Sequence, residues 1–582
     1  MADNSSTQAP YRELTFAAVF FGILIGLVMT AAFVYVGLKL GFTLPGSTVA
    51  AILGFAVLRG ALKKGSIVEN NINQTVASGI NNASSGIVFT LPALFLLSAA
   101  NPGLITVEPL PAILAAIGGS FLGVAVIIPL RKQMIEFERL RFPSGIAVAS
   151  LLKSPGAGIR QAKLLIGGAL LATVIHVGGE LHLVPHELPI GDLFGVPAYI
   201  PIALYVSFAS LGAGLLSGKG GLPFVLGGVL AWWVISPVAV MSGWVPTPEA
   251  LGFSAAPDGY EGWSLGIIYS EMLRPLGIGI LVGGALAGVA ASFPALRSAL
   301  KSLSQATKAG AAGGGEELST KVLYSGMCAA VVILFSAAML SSGDISVVQA
   351  IGIALVGTVW LALAGLVVAQ ATGMTDISPL SGMSLIGVTL MFFMSDGNAT
   401  ASIILGVAVC IGIGQCADMM SDLKSGHLVG ATPRRQQIAQ FAVGWLGVPV
   451  AVGVLFLLWG DGGGFGPSNP DLSAPQGAAL AGVIDSLSQG AAPLDKYMGG
   501  LAIGLGLGIF PIAGLGVLVG LAMYLPVSIT LTYGVGALLS IYLRKKNGGE
   551  WFGSTLVPVA AGFIIGEALT SLGATLITLA VG

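Results

Sequence analysis

Apolar runs of about 18 residues or more recur from one end of this 582-residue chain to the other. In lipid, only helices and closed barrels satisfy every backbone polar group, and runs of this length suit helices. Charged residues make up 9% of the chain, against roughly 25% in a soluble globular protein. The expected fold class is therefore all-α: a polytopic integral membrane protein of about 16 transmembrane helices. Eighty-six glycines fit helices that approach one another closely.

The apolar runs also set the order along the chain. A first span is expected over 14–38 and is retained, because it is too long for a signal-peptide core. The turn 41–46 leads into a second, closed by Arg59, Lys63 and Lys64. Later spans are expected near 110–130, 164–184, 197–217, 222–243 and 264–292, then 322–341, 347–370, 381–396, 400–418, 436–459, 497–515, 518–543 and 554–580. The stretch 476–492 either crosses or dips in. Connections 98–110, 185–197 and 243–263 hold no Lys or Arg, while the alternating connections hold nearly all of them. By the positive-inside rule the N-terminus and the basic connections are cytoplasmic. The Gly-rich linker 298–320 separates two comparable transmembrane halves, 1–297 and 321–582. A short echo, LPGS at 44–47 and LPVS at 525–528, hints at internal duplication.

One polar run interrupts this pattern. Residues 69–86, ENNINQTVASGINNASSG, are flanked by apolar sequence on both sides. At about 100° per residue, Ile72, Val76, Gly79, Ile80 and Ala83 share one arc, and Asn71, Thr75, Ser78, Asn82 and Ser85 the opposite one. Asn70, Gln74 and Asn81 lie beside the polar arc. Unpaired amides facing lipid would each cost several kcal/mol, so this face must meet a cavity, a substrate or other helices. A helix lying on the membrane surface is the alternative, but such helices carry Lys and Arg on the polar face, and this run has neither.

Several chemistries are excluded. The nearest approach to a phosphate-cradling loop, 214–220, has the wrong spacing and no Ser or Thr after Lys219. His186-Glu187 lacks the second histidine of a zinc protease, and no GxSxG nucleophile lies on a span. Cys328, Cys410 and Cys416 form no metal pattern and read as packing residues. No basic patch suggests nucleic acid, and no cofactor is implied. Translocation, not catalysis, is the expected use.

Ionisable residues at membrane depth are functional candidates by default. Glu180, Glu271, Asp376, Asp418, Asp422 and Glu567 sit within or against apolar segments; each is either a proton carrier or half of a structural pair. Lys39, at the outer end of the first span, either snorkels to the interface or meets substrate. His176, Glu180, His182, His186 and Glu187 cluster at one outer span end. Imidazoles with carboxylates suit a divalent metal or a pH switch, and equally decorate an interface. The stretch 371–382, ATGMTDISPLSG, combines an acid, hydroxyls and helix breakers, as unwound substrate-lining segments do and as ordinary inter-span turns also do.

These residues resemble the oligopeptide transporter family, which includes the yellow-stripe-like metal-chelate carriers. Glu69-Asn70 with Gln74-Thr75 is similar to the family's E-N-x-x-x-Q-T stretch, and KLGFTLPGS at 39–47 to its first-hairpin signature. TGMTDIS at 372–378 resembles its G-x-T-D-x-S element. ADMMSDLKSGH at 417–427, with ATPR at 431–434, resembles its D-x-x-x-D-[FL]-K-[ST]-G-[YH] motif and trailing element, and GFIIGE at 562–567 its last glycine-acid span. The matches keep the family's order over about residues 35 to 570.

The resemblance implies a proton-driven symporter importing small peptides or metal–chelate complexes. The short connections suggest a prokaryotic member in the cytoplasmic membrane. Expected substrate contacts are Asn70, Asn71, Asn73, Gln74, Thr75, Asn81, Asn82, Lys39, Thr375 and Ser378. Expected proton carriers are Asp376 first, then Glu567, with Asp418, Asp422 and Glu180 behind them. In the metal-chelate reading, His176, His182 and His186 would attract the complex. A passive channel is a third reading. The expected partners are the substrate, protons and the lipid bilayer, and a homodimer is compatible with such a chain.

Overall fold

The computed structural model of the chain describes residues 12–41, 46–62, 65–101, 105–153, 157–196, 200–242, 268–291, 317–375, 378–460, 464–466, 469, 472–489, 494–510, 512 and 514–581. The linker expected at 298–320 lies outside the described residues as far as 316. In the first half the described residues form α1 (Phe16–Leu40), α2 (Gly46–Phe55), α3 (Ile67–Ala100), α4 (Pro109–Ile127), α5 (Pro143–Lys153) and α6 (Ala157–Glu180). There follow α7 (Ile190–Leu193), α8 (Phe208–Ser217), α9 (Leu222–Val229), α10 (Ser236–Met241) and α11 (Arg274–Ala291). After the linker come α12 (Thr320–Ser341), α13 (Val347–Thr375), α14 (Leu380–Met394), α15 (Ala399–Val429), α16 (Pro433–Val443) and α17 (Gly447–Gly460). The chain closes with α18 (Pro475–Gln489), α19 (Leu494–Leu507), α20 (Leu515–Tyr524), α21 (Val527–Trp551) and α22 (Val557–Val581). A two-residue antiparallel ladder, Glu187–Leu188 with Leu204–Tyr205, is the only sheet among the described residues.

The all-α, multi-pass expectation holds. Among the described residues, eleven stretches are long and apolar enough to cross a membrane, and the longest, Val527–Ile577, contains α21 and most of α22. Three shorter apolar helices accompany them: Gly46–Gly60, Leu380–Met394 and Leu515–Tyr524. Of the membrane-length stretches, Ala399–Val429 and Ile67–Ala100 are the most enclosed, with 89% and 78% of their apolar windows buried. These two helices, α15 and α3, pack on each other and form the centre of the molecule.

Local sequence explains the boundaries. Thr15 caps α1 by accepting from the Ala18 N–H, and Gly41 ends it in the left-handed region at φ 73°. Ser66 and Glu69 form a reciprocal capping box at the start of α3, with bonds of 3.1 and 2.6 Å. Glu69, the first residue of the polar run, is therefore a cap.

Not every expected span is continuous. Residues 204–205 are extended and α8 begins only at Phe208, so 197–217 is not one helix. Pro526 disfavours helical backbone at Leu525, and 518–543 splits into α20 and α21. The open stretch 476–492 is α18, of 15 residues. At 1.5 Å per residue it is about 22 Å long, short by itself of a hydrocarbon core of about 30 Å.

Close glycine contacts fix the relative depths. Gly22, Gly26 and Gly37 of α1 face Val76, Ile80 and Val88 of α3, so these two helices run parallel. In α2, Gly46 lies beside Asn81 and Gly54 beside Asn73. This helix therefore runs the opposite way and starts at the level of the middle of α3. Gly119 and Gly123 of α4 press on the backbone of Ala408 and Gly412 in α15, where a Cβ atom would overlap.

Candidate functional site

A cavity of about 690 Å³ opens between α3 and α15. One wall is the second half of the polar run, Ser78, Asn81, Asn82, Ser84 and Ser85, with Phe89 beyond it on α3. The facing wall is Gly414, Ala417, Asp418 and Ser421 of α15. The first turns of short helices close the sides, with Ser47 and Thr48 of α2, Ser144 of α5, Ser381 of α14, Gln476 of α18 and Leu518 of α20. Helix starts present unbonded N–H groups and the positive end of the helix dipole. Asp418 is the one formally charged side chain in the described lining.

The cavity reaches the basic face of the molecule. Ser217 and Gly220 of its lining flank Lys219, and Thr372 precedes Gly373, whose carbonyl accepts from the Phe142 N–H between Arg141 and Pro143. The start of α18 packs against the end of α1 and against α3 beside the cavity. There Gln476 donates to the Gly41 carbonyl at 3.0 Å, the Ala474 N–H to the Leu38 carbonyl at 2.8 Å, and Gly477 packs on Pro92.

Beside the cavity lies a pair of carboxylates one turn apart on α15. Asp418 Oδ1 accepts from the Ser78 hydroxyl at 2.6 Å, and Gln440 Nε2 is 3.4 Å from Oδ2. Asp422 Oδ1 accepts from Gln74 Nε2 at 2.5 Å. The Ser47 hydroxyl stands between the two acids, 3.3 Å from Asp418 and 3.1 Å from Asp422. Asp422 is 1% exposed and its Oδ2 has no hydrogen-bond partner. Among the described residues no Lys, Arg or His forms an ion pair with either acid.

Glu567 on α22 is held quite differently. Lys39 Nζ sits 2.8 Å from its Oε1, with the two side chains 1% and 2% exposed. The Ser207 hydroxyl lies 2.8 and 3.1 Å from the two oxygens, and the Ala209 N–H donates to Oε2 at 2.9 Å. The Lys39 ammonium also lies over the Tyr205 and Tyr35 rings, at 4.6 and 5.6 Å. Snorkelling does not occur: Lys39 turns inward, because an unmatched carboxylate at this depth is a stronger partner than the interface.

The polar run divides into two parts. Asn81 and Asn82 line the cavity. Asn70, Asn71, Asn73, Gln74 and Thr75 are buried outside the described lining, and all but Asn70 hydrogen-bond to other helices. Asn71 donates to Ser425 at 2.8 Å, Asn73 to the Ala18 carbonyl at 2.9 Å, and Gln436 to Thr75 at 2.9 Å. Asn70 is buried with neither amide atom partnered. Ser378 lines the cavity and shares a 2.6 Å bond with Thr372. Asp376 and the Thr375 side chain lie outside the described residues.

The three histidines lie at and just beyond the end of α6. His176 is 3.6 Å from Glu180, which is half-exposed, while His182 and His186 are exposed beyond the end of α6. His182 adopts φ 56° and the chain folds back, so that the His186 ring lies beside Gly179 of α6. Among the described residues no three His, Cys, Asp or Glu side chains are grouped as metal ligands. The three histidines therefore form no ligand set.

Sequence reasoning missed Ser47 and Ser207 as partners of the acids, and Gln436 and Gln440 of α16. The signal for the glutamines was available: two amides spaced i, i+4 within the expected span 436–459.

Apolar helices enclosing a polar cavity, with acids buried beside it, define a multi-pass membrane protein built for passage of a polar solute. A family model described as OPT oligopeptide transporter protein matches residues 13–578. The chain belongs to that family and is a transporter, not an enzyme. It is similar to a putative oligopeptide transporter of Haemophilus influenzae, 28% identical over 92% of this chain and 91% of that one. It is also similar to the iron-phytosiderophore transporter yellow stripe 1 of Zea mays, 25% identical over 81% and 74%. The metal-nicotianamine transporter YSL2 of Oryza sativa is 24% identical over 98% and 93%.

Proposed function

We propose that the protein is a proton-coupled symporter importing small oligopeptides across a prokaryotic cytoplasmic membrane, with its N-terminus inside. The observation that carries this reading is the Asp418–Asp422 pair: two carboxylates one turn apart, joined through Ser47, with no cationic partner among the described residues. Two negative charges so placed at membrane depth are costly, and taking up a proton relieves the cost. Glu567, in contrast, is already neutralised by Lys39. The pair thus favours Asp422 as proton holder, with Asp418 as the member that meets cargo. Asp376, in the chain between cavity-lining Thr372 and Ser378, remains a parallel candidate.

Cargo enters a cavity rich in hydroxyls and amides, which suits the repeated C=O and N–H groups of any peptide. Its volume of about 690 Å³ falls within the usual range for small-molecule sites of roughly 300–1,000 Å³. Alternating access follows if the packing at the start of α18 yields while the basic face closes. The plant relatives favour a second reading, import of a metal chelate by the same machine. Proteoliposomes under an inward proton gradient, offered labelled tripeptides and a labelled iron chelate, separate the two. Peptide accumulation abolished by a protonophore supports the first reading, and accumulation of the chelate alone supports the second. Uptake that never exceeds equilibrium would leave only a channel.

A further inference from the structure

We propose that Asp418 and Asn81 form a subsite for a primary ammonium group, so that cargo is recognised by a free N-terminal amine. This inference rests on the peptide reading and narrows it. Asp418 is the one formally charged side chain in the described cavity lining, and the rest of that lining is neutral. Its counter-charge is therefore absent from the described wall and has to come from what enters.

Hydrogen-bond accounting points the same way. A carboxylate offers about four acceptor positions. Asp418 receives one short bond, from Ser78, and one long contact from Gln440. The single Ser47 proton is contested by Ser78, Asp418 and Asp422. Asn81 lies one turn further along α3 from Ser78, also lines the cavity, and is 6% exposed with Oδ1 unpartnered. Asn82, next to it, directs its amide at the Ile411 carbonyl, 3.3 Å away, and not at Asn81. Asn81 Oδ1 on α3 thus lacks a donor, and the Asp418 carboxylate facing the same cavity from α15 has acceptor positions left over. An ammonium carries three N–H donors and one positive charge. A carboxylate-rich chelate would bring like charge to the same wall.

The subsite also links cargo to the coupling ion. Ser47 touches both acids. When an ammonium takes over Asp418, the hydroxyl is free to turn wholly to Asp422. Binding of amine and occupancy of Asp422 are therefore coupled through one side chain.

The test is equilibrium binding at one fixed pH to the full chain in nanodiscs, using trialanine, N-acetyl-trialanine and trialanine amide. The unmodified protein answers the question without a variant. Acetylation is expected to weaken binding roughly 100-fold, and C-terminal amidation far less. In Asp418→Asn the preference for the free amine should shrink to about threefold, and Asn81→Ala should reduce it in part. Acetylated and free peptide binding within about threefold of each other overturns the subsite while leaving the peptide reading intact. If no trialanine form binds but an iron–nicotianamine complex does, the peptide reading fails and the subsite with it.

Discussion

Replacing Lys39 by Met removes the cation from a carboxylate that has no access to water. Lys39 and Glu567 are 1% and 2% exposed at a separation of 2.8 Å, and removing one partner of a buried pair costs about 3–5 kcal/mol. Glu567 would keep the Ser207 hydroxyl and the Ala209 N–H, which puts Lys39→Met near the lower end, at about 3 kcal/mol. Glu567→Gln strands the ammonium over Tyr205 and Tyr35 alone. Those faces offset only about 2 kcal/mol, so this change falls higher in the range. The double variant carries no charge in the pocket and should lie within about 1 kcal/mol of the parent. The assay is a double-mutant cycle by SDS titration of the protein in mixed micelles, followed by tryptophan fluorescence. A coupling of several kcal/mol is expected. Lys39→Met within about 1 kcal/mol of the parent, or a double variant as unstable as the sum of the singles, would refute the assignment of this pair as a structural clamp.

The direction of the cavity predicts thiol accessibility. With Cys328, which is exposed, replaced by Ser, and Cys410 and Cys416 buried, Ser144→Cys and Ser217→Cys should label with a membrane-impermeant maleimide in inside-out vesicles. The same thiols should stay unlabelled from the outside, and labelling from the outside alone would reverse the orientation. Packing predicts a different effect at Gly123, where a side chain would overlap the Gly412 backbone. Gly123→Val should cost about 3 kcal/mol and lower the yield of monodisperse protein. Near-parental behaviour would mean that α4 and α15 do not depend on that contact.

Long periodic signals were legible in the sequence, and pairings across hundreds of residues were not. The polar run read correctly as one helix, because its amides and apolar residues repeat at helical spacing. Its division into a cavity wall and a buried network did not show. Gln74 meets Asp422 across 348 positions, and nothing near either residue announces the other. Lys39 looked like an interfacial lysine because it ends an apolar span; its partner is 528 positions away. The break at Leu525–Pro526 was readable from proline chemistry, yet unbroken hydropathy on both sides concealed it. The extended start of 197–217 was hidden in the same way, since a buried strand and a buried helix are equally apolar.

The measurement that bears most directly on the central claim is peptide uptake into proteoliposomes under an imposed proton gradient, comparing the parent with Asp422→Asn. The doubly neutral Lys39→Met/Glu567→Gln and the single Asp376→Asn serve as comparators. The account predicts that Asp422→Asn loses uphill accumulation while retaining peptide exchange, and that the Lys39/Glu567 double variant still accumulates peptide. Full proton-driven accumulation by Asp422→Asn, with loss confined to Asp376→Asn or to the Lys39/Glu567 variant, would contradict it.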